Sequence, residues 1–166
     1  NKNDDTVSIR SEARDEQREK HKQTQIKKQS NDINLARKLV SIMSKERATD
    51  FKTWIRVGWA LHNVSPTLLD AFKEFSKKAG KNYDEKSCEQ VWTKATNKRV
   101  DSRDKEKELT IASLRHWAKL DDNDSYEDLL TENINELIIG AESGTEYDVS
   151  KVVFEKYKEQ YKCTSI

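Results

Sequence analysis

The near-absence of residues that force a turn is the feature that most constrains this chain. Its 166 residues contain one proline, Pro66, and four glycines. β-Sandwiches and barrels need turn signals at short intervals, whereas helices accept long uninterrupted runs. Apolar residues make up 34% of the chain and charged residues 37%, so any core must be small and its surroundings solvated. The sequence therefore predicts an all-α fold, with a small helical bundle core and polar arms.

Apolar periodicity locates this core between about residues 32 and 120. Apolar side chains recur there at helical spacing, and Trp54, Trp59, Trp92 and Trp117 are expected to anchor one compact core. Gly58 lies inside a predicted helix, where it indicates a close approach of two helices. The region divides into helices at candidate N-caps, which are Asp32, Asp50, Ser65 before Pro66, Asp84 and Thr110.

The segments on either side of the core differ in character. Residues 1–31 have almost no apolar period and are predicted to form a charged arm or linker. Residues 97–108 are polar throughout and are predicted to form a loop. Residues 121–146 are predicted to be an acidic helix or linker opened by a capping box at Ser125. Together with a last helix in 147–166, they are expected to form a second unit.

Charge is unevenly distributed along the chain. Residues 45–119 hold 17 Lys and Arg against 11 Asp and Glu, whereas residues 120–150 hold ten acids and no Lys or Arg. Basic helix ends and loops can hold phosphates without reading sequence. Lysines near helix C-termini can instead form a solvated face that complements the helix dipole. The predicted nucleic-acid-binding residues are Lys73, Lys77, Lys78, Lys81, Lys94, Lys98, Arg99, Arg103 and Lys105.

Motifs for catalysis are not apparent. The sequence has no P-loop, nucleophile elbow or Gly-rich dinucleotide loop. His21, His62 and His116 are scattered, and Cys88 lies on an apolar stripe where a core role is expected. The acids of 121–128 lack the glycine and final glutamate of a calcium loop. The sequence predicts no catalytic, cofactor-binding or metal-binding residue.

The termini and cysteines bear on the compartment. No apolar run approaches the ~20 residues that span a bilayer, and the polar N-terminus is unlike a signal peptide. The chain lacks an initiator Met and is expected to begin inside a longer protein. Cys88 and Cys163 are far apart in sequence, which favours a reducing compartment. These features predict an intracellular protein without a membrane partner.

Several runs of residues resemble a known family. WIRVGWALHN (54–63), LLDAFKEFSKKAGK with the following YDE (68–85), C-x-x-x-W (88–92) and LTIASLRHWAK (109–119) resemble the primase C-terminal helical domain of poxvirus-type and giant-virus primase–helicases. This resemblance covers roughly residues 50–120. In addition, residues 147–166 resemble the start of the domain that precedes the helicase motor in the same proteins.

The resemblance implies a place in genome replication. It implies a parent protein with a primase domain before this module and a hexameric superfamily 3 helicase after it, using ATP and Mg²⁺, in the host cytoplasm or viral factory. The matched residues Trp54, Gly58, Trp92 and Leu114 read as packing positions, so no catalytic residue is carried over. The module itself would be non-catalytic, linking primase to helicase and contacting single-stranded or primer–template DNA. The alternative is a structural spacer whose acidic segment 120–150 docks partners.

Overall fold

The described part of the chain is entirely helical. The computed structural model describes residues 2–101, 109–141 and 146–157, and no strand occurs within them. Short 3₁₀ turns lie at Pro66–Leu68 and Gly80–Asn82. The α-helices are α1 (Lys2–Ile42), α2 (Lys45–Thr49), α3 (Phe51–Val64), α4 (Leu69–Lys77), α5 (Glu85–Asp101), α6 (Ile111–Asp121), α7 (Asn123–Ala141) and α8 (Glu146–Tyr157). The predicted all-α class is confirmed.

Helix α1 is longer than the sequence predicted. It runs without interruption through Asp32, so the prediction that a helix begins at this residue is wrong. Good helix formers fill the arm, and pairs such as Lys20 and Glu16, 2.8 Å apart, support it one turn at a time. Side chains are almost all exposed from Arg14 to Ser30, and burial begins at Leu35. The arm is thus a solvated extension of a core helix.

Most of the other helix starts follow their predicted caps. The Asp50 carboxylate accepts a hydrogen bond from the Thr53 N–H at 2.9 Å, and Asp84 accepts one from the Ser87 N–H at 3.0 Å. Thr110 opens α6 with a capping box. These side chains satisfy N–H groups that have no partner within the helix.

Two predicted boundaries are corrected, and one short helix was not predicted. Ser44 caps this helix, α2, in the polar segment after α1. Residues 97–101 continue α5 instead of starting the predicted loop, and residues 102–108 lie outside the described residues. Asp122 caps α7, where it accepts from the Ser125 N–H at 3.0 Å and from its hydroxyl at 2.7 Å. The helix is therefore capped at Asp122, about one turn before Ser125, where the sequence predicted a capping box.

Stacked aromatic rings form the centre of the core. The Phe72 ring lies 5.2 Å from Trp54 and 5.9 Å from Trp92, between centroids. A Cβ placed on Gly58 would lie 2.7 Å from Cζ of Phe72, closer than real contacts allow. The close helix approach predicted at Gly58 is therefore confirmed. Cys88 is fully buried, as expected, and burial raises the pKa of its thiol.

The core continues past the predicted boundary near residue 120. Tyr126 and Leu129 of α7 are buried in the same cluster as α1 and α6. Lys38 of α1 also forms salt bridges with Glu132 at 3.4 Å and Glu136 at 2.8 Å. The first half of the acidic helix is thus part of the bundle, and α8 packs on α7. The expectation that this helix belongs to a separate second unit did not take account of Tyr126 and Leu129, whose side chains enter the core from an acidic segment.

Candidate nucleic-acid interface

The predicted basic residues fall into groups with different surroundings. Lys73 projects from α4 toward α5, where its Nζ lies 2.7 Å from Glu85 and 2.8 Å from Glu89. The hydrogen bonds that Lys73 donates to these two carboxylates raise the pKa of Lys73. The lysine therefore remains charged, but its charge is matched within the molecule. This pairing ties α4 to α5.

Lys77 and Lys78 also have partners within the fold. Lys77 pairs with Glu74 one turn earlier, which raises the pKa of Lys77. The Nζ of Lys78 donates to the carbonyl oxygens of Ser41 at 2.6 Å and Met43 at 2.7 Å. Burial lowers the pKa of Lys78. Lys78 thus satisfies carbonyl groups at and just beyond the C-terminus of α1, which a helix end leaves unpaired.

The remaining predicted residues are more open or lie outside the described side chains. Lys81 and Lys94 are exposed and form no salt bridge with any residue that the structure describes. Lys98 and Arg99 belong to the end of α5, of which the structure describes the backbone alone. The predicted residues outside the described ranges are Arg103 and Lys105.

Three further lysines share the open character of Lys81. Lys45, Lys52 and Lys86 are exposed, and none has a salt bridge within the described part of the chain. Each lies in the first turn of its helix, where the helix dipole disfavours a cation. Their placement in a first helical turn is visible in the sequence once the helix starts are assigned. The sequence prediction considered lysines near helix C-termini and therefore omitted these three.

Two arginines contact one tryptophan where α2, α3 and α6 meet. The guanidinium carbons of Arg47 and Arg56 lie 5.6 Å and 5.3 Å from the centroid of Trp117. Arg47 is also held by Asp121, whereas Arg56 is exposed. These cation–π contacts stabilise the junction of α2, α3 and α6.

Asp121, Asp122 and His62 make contacts that hold the fold together. Asp121 binds Arg47 and Asp122 caps α7, so both acids act in the fold. His62 is buried with its ring 5.1 Å from Trp92, edge to face. Across the described ranges, no group of three or more His, Cys, Asp or Glu side chains could hold a metal ion. Among the helices that the structure describes, none combines the length and apolar character needed to cross a bilayer.

The fold and the candidate interface define the class of this protein. It is a small helical module with a tryptophan-rich core and exposed lysines. Residues 36–118 match the family model "Primase C terminal 2 (PriCT-2)". The chain belongs to this family, and the family resemblance drawn from its sequence is confirmed. The match ends within α6, three residues before Asp121.

Two viral proteins are similar over a longer stretch. The chain is 34% identical over 131 residues to "Putative helicase L207/L206" of Acanthamoeba polyphaga mimivirus, which covers 79% of the chain and 13% of that protein. It is also 34% identical over 115 residues to "Putative helicase 184R" of Invertebrate iridescent virus 6, covering 64% of the chain and 11% of that protein. The chain thus spans a small fraction of the length of these relatives. No solved structure matches the chain.

Proposed function

We propose that this chain is a non-catalytic module of a viral primase–helicase that contacts template or primer DNA and links primase to helicase. Family membership and the names of the viral relatives support the replication setting. The observation that carries DNA contact is a set of exposed lysines without a salt bridge to any described residue. They are Lys45, Lys52, Lys81, Lys86 and Lys94.

These lysines suit a polyanion because none is held in a salt bridge with a described residue, although Lys52 and Lys86 lie near the carboxylates of Asp50 and Asp84. Phosphate contacts by lysine are independent of base sequence and release counterions. Lys73, Lys77 and Lys78 contribute less to this proposal, because carboxylates or carbonyl groups already hold their ammonium groups. The proposed interface therefore shifts from the helix C-termini toward the first turns of α2, α3 and α5, with Lys81 and Lys94 retained from the sequence prediction.

The wider setting is proposed from the family and the relatives together. The parent would be a homohexamer with primase and helicase domains that use ATP and Mg²⁺, in the host cytoplasm or viral factory. This module would need no cofactor of its own. Its task would be to keep the strand near the primase site while the helicase ring engages it.

A salt titration tests DNA contact. We expect the chain to bind single-stranded and primer–template DNA at low salt, with an affinity that falls as salt increases. Lys81→Gln combined with Lys94→Gln should flatten the salt dependence by about 0.7 in log–log slope per lost single-strand phosphate contact. Lys20→Gln combined with Lys28→Gln, on the solvated arm, removes the same two charges and serves as the control. Absence of binding at low salt would overturn the proposal.

A second candidate function is docking of a protein partner, and exposed apolar side chains favour it. Ile138 and Ile139 of α7 are 45% and 68% exposed, and Phe154 of α8 is 63% exposed. Five acids and no basic residue lie within α7, so an apolar surface with basic surroundings would be complementary. The first half of α7 is anchored in the core, which leaves its second half and α8 to make the contact.

The docking candidate is tested by mixing the chain with separately purified primase and helicase domains. Sedimentation of the mixture should show a complex that Ile139→Asp and Phe154→Asp weaken. Leu120→Asp introduces a charge at a residue of similar exposure, 66%, outside α7 and α8, and is the control. A complex that survives both substitutions would count against this surface.

A further inference from the structure

A groove of about 180 Å³ lies where α2 and the start of α3 face the 3₁₀ turn before α5. Its floor includes the side chains of Trp54, Ser76 and Cys88, which are buried. The Trp54 indole N–H donates to the Ser76 hydroxyl at 2.8 Å, so this floor is held in place. Phe51 and Tyr83 also line the groove, from different elements.

Phe51 is the unexpected member of this groove. Phe51 lies three residues before the buried Trp54, a spacing that puts both on one helix face, yet 66% of its side chain is exposed. The ring remains beside Trp54, with centroids 5.8 Å apart and an interplanar angle of 39°. The Phe51 ring thus contacts the core through Trp54 while much of it is open to solvent. Such a ring is suited to receive another flat group.

Four of the open lysines lie close in sequence to residues that line this groove. Lys52 follows Phe51 directly, Lys81 precedes the lining residue Asn82, and Lys86 precedes Ser87. The fourth is Lys45, one helical turn before the lining residue Thr49. The chain therefore places lysines of four elements, α2, α3, the 3₁₀ turn Gly80–Asn82 and α5, next to residues of one aromatic groove.

Three of the acids near the groove accept hydrogen bonds within the fold. Asp84 accepts hydrogen bonds from the Ser87 hydroxyl at 2.6 Å and the Ser87 N–H at 3.0 Å. Glu85 is paired with Lys73 at 2.7 Å. Asp50 accepts from the Thr53 N–H at 2.9 Å. Of these three carboxylates, Glu85 is the one paired with a lysine. Hydrogen bonds from Thr53 and Ser87 lower the pKa of Asp50 and of Asp84, so both stay ionised close to the lysines.

We propose that this groove receives an unpaired base of a single-stranded nucleic acid, stacked on Phe51 with Tyr83 beside it, while the four lysines hold the adjoining phosphates. The inference rests on the proposed function, and it adds a base-contacting site to phosphate contact. Every base has a π-face, so stacking on aromatic side chains tolerates any sequence. Duplex DNA keeps its bases stacked inside and would not enter the groove.

Binding of two strands of equal length separates base stacking from phosphate contact. One is an oligothymidylate and the other carries abasic sites throughout, so both present the same charge. The chain should bind the oligothymidylate more tightly by about fivefold or more, the lower end of what one stacked base contributes. Phe51→Ala should remove most of this preference and leave binding of the abasic strand unchanged. An oligouridylate tested in parallel distinguishes an RNA primer from a DNA template, and a preference with either strand supports the proposal.

Two controls keep the result interpretable. Leu120→Ala removes an apolar side chain of equal exposure, 66%, from α6 and should preserve the preference. Tyr83→Ala tests the groove through a second element if Phe51→Ala does not fold. Equal binding of the two strands would overturn the proposal that the groove binds a base, while the proposed phosphate contact would stand. No binding of either strand would overturn both proposals.

Discussion

Arg47 donates two hydrogen bonds to Asp121, from Nε to Oδ2 at 2.7 Å and from Nη2 to Oδ1 at 2.6 Å. The Ser44 N–H donates to the same carboxylate at 2.9 Å. The two side chains are 13% and 8% exposed. This contact joins α2 to the end of α6, where the Arg47 guanidinium also lies over Trp117. It fixes the corner from which the groove-lining helix α2 leaves α1.

Removing one partner of this buried pair should destabilise the bundle strongly. Asp121→Ala leaves the Arg47 guanidinium and the Ser44 N–H without their acceptor, and we expect a loss of about 3 kcal/mol in the free energy of unfolding. Urea denaturation measures it. The more exposed pair of Arg37 and Asp70, with 40% and 62% exposure, provides the control, because Asp70→Ala should cost less than about 1 kcal/mol. Equal losses would contradict the role of burial.

Stability should fall in acid partly because of Asp121. Burial alone would raise the pKa of Asp121, but hydrogen bonds from Arg47 and Ser44 outweigh it and lower that pKa. A lowered folded pKa stabilises the fold above the unfolded pKa of about 3.9, and this contribution disappears as pH falls through the folded pKa. Asp121→Asn should therefore be less stable than the parent above about pH 4, with the gap closing at lower pH. Thermal unfolding across pH measures this gap, and a constant gap would refute the linkage.

Local rules predicted much of the fold from the sequence. The caps at Asp50, Asp84 and Thr110 were visible because short polar side chains before an apolar period satisfy free N–H groups. Long-range docking was not visible. Periodicity alone does not tell that Tyr126 enters the core from an acidic helix, nor that Phe51 turns outward beside Trp54.

Gly58→Ala should destabilise the core despite the better helix propensity of alanine. The new Cβ would meet the Phe72 ring, which cannot move away because Trp54 and Trp92 stack near it. Overpacking costs about 1–3 kcal/mol, and the gain of alanine over glycine in a helix, about 1 kcal/mol, offsets part of it. Chemical denaturation should show a net loss. The same substitution should cost less in a Phe72→Leu background, and an equal cost there would show that the ring is not the obstacle.

The candidate site was less predictable than the fold. The sequence identified Lys81 and Lys94 as basic surface residues, and the structure leaves both open among the residues that it describes. It did not show that Lys73 meets two glutamates from α5, because that depends on how α4 and α5 pack. Charge counting along a chain treats every lysine alike, whereas packing decides which charges are matched.

Lys78 and Lys81 offer a direct test of this distinction. Lys78→Met removes the ammonium group that binds the carbonyls of Ser41 and Met43, and we expect a loss of about 1–2 kcal/mol in the free energy of unfolding. Affinity for single-stranded DNA should hardly change, since this charge is held within the fold. Lys81→Met should do the reverse, leaving stability within about 0.5 kcal/mol and weakening DNA binding at low salt. Urea denaturation and DNA titration of both variants measure the two effects. A Lys78 variant that loses DNA affinity at unchanged stability would instead support the original sequence prediction for Lys78.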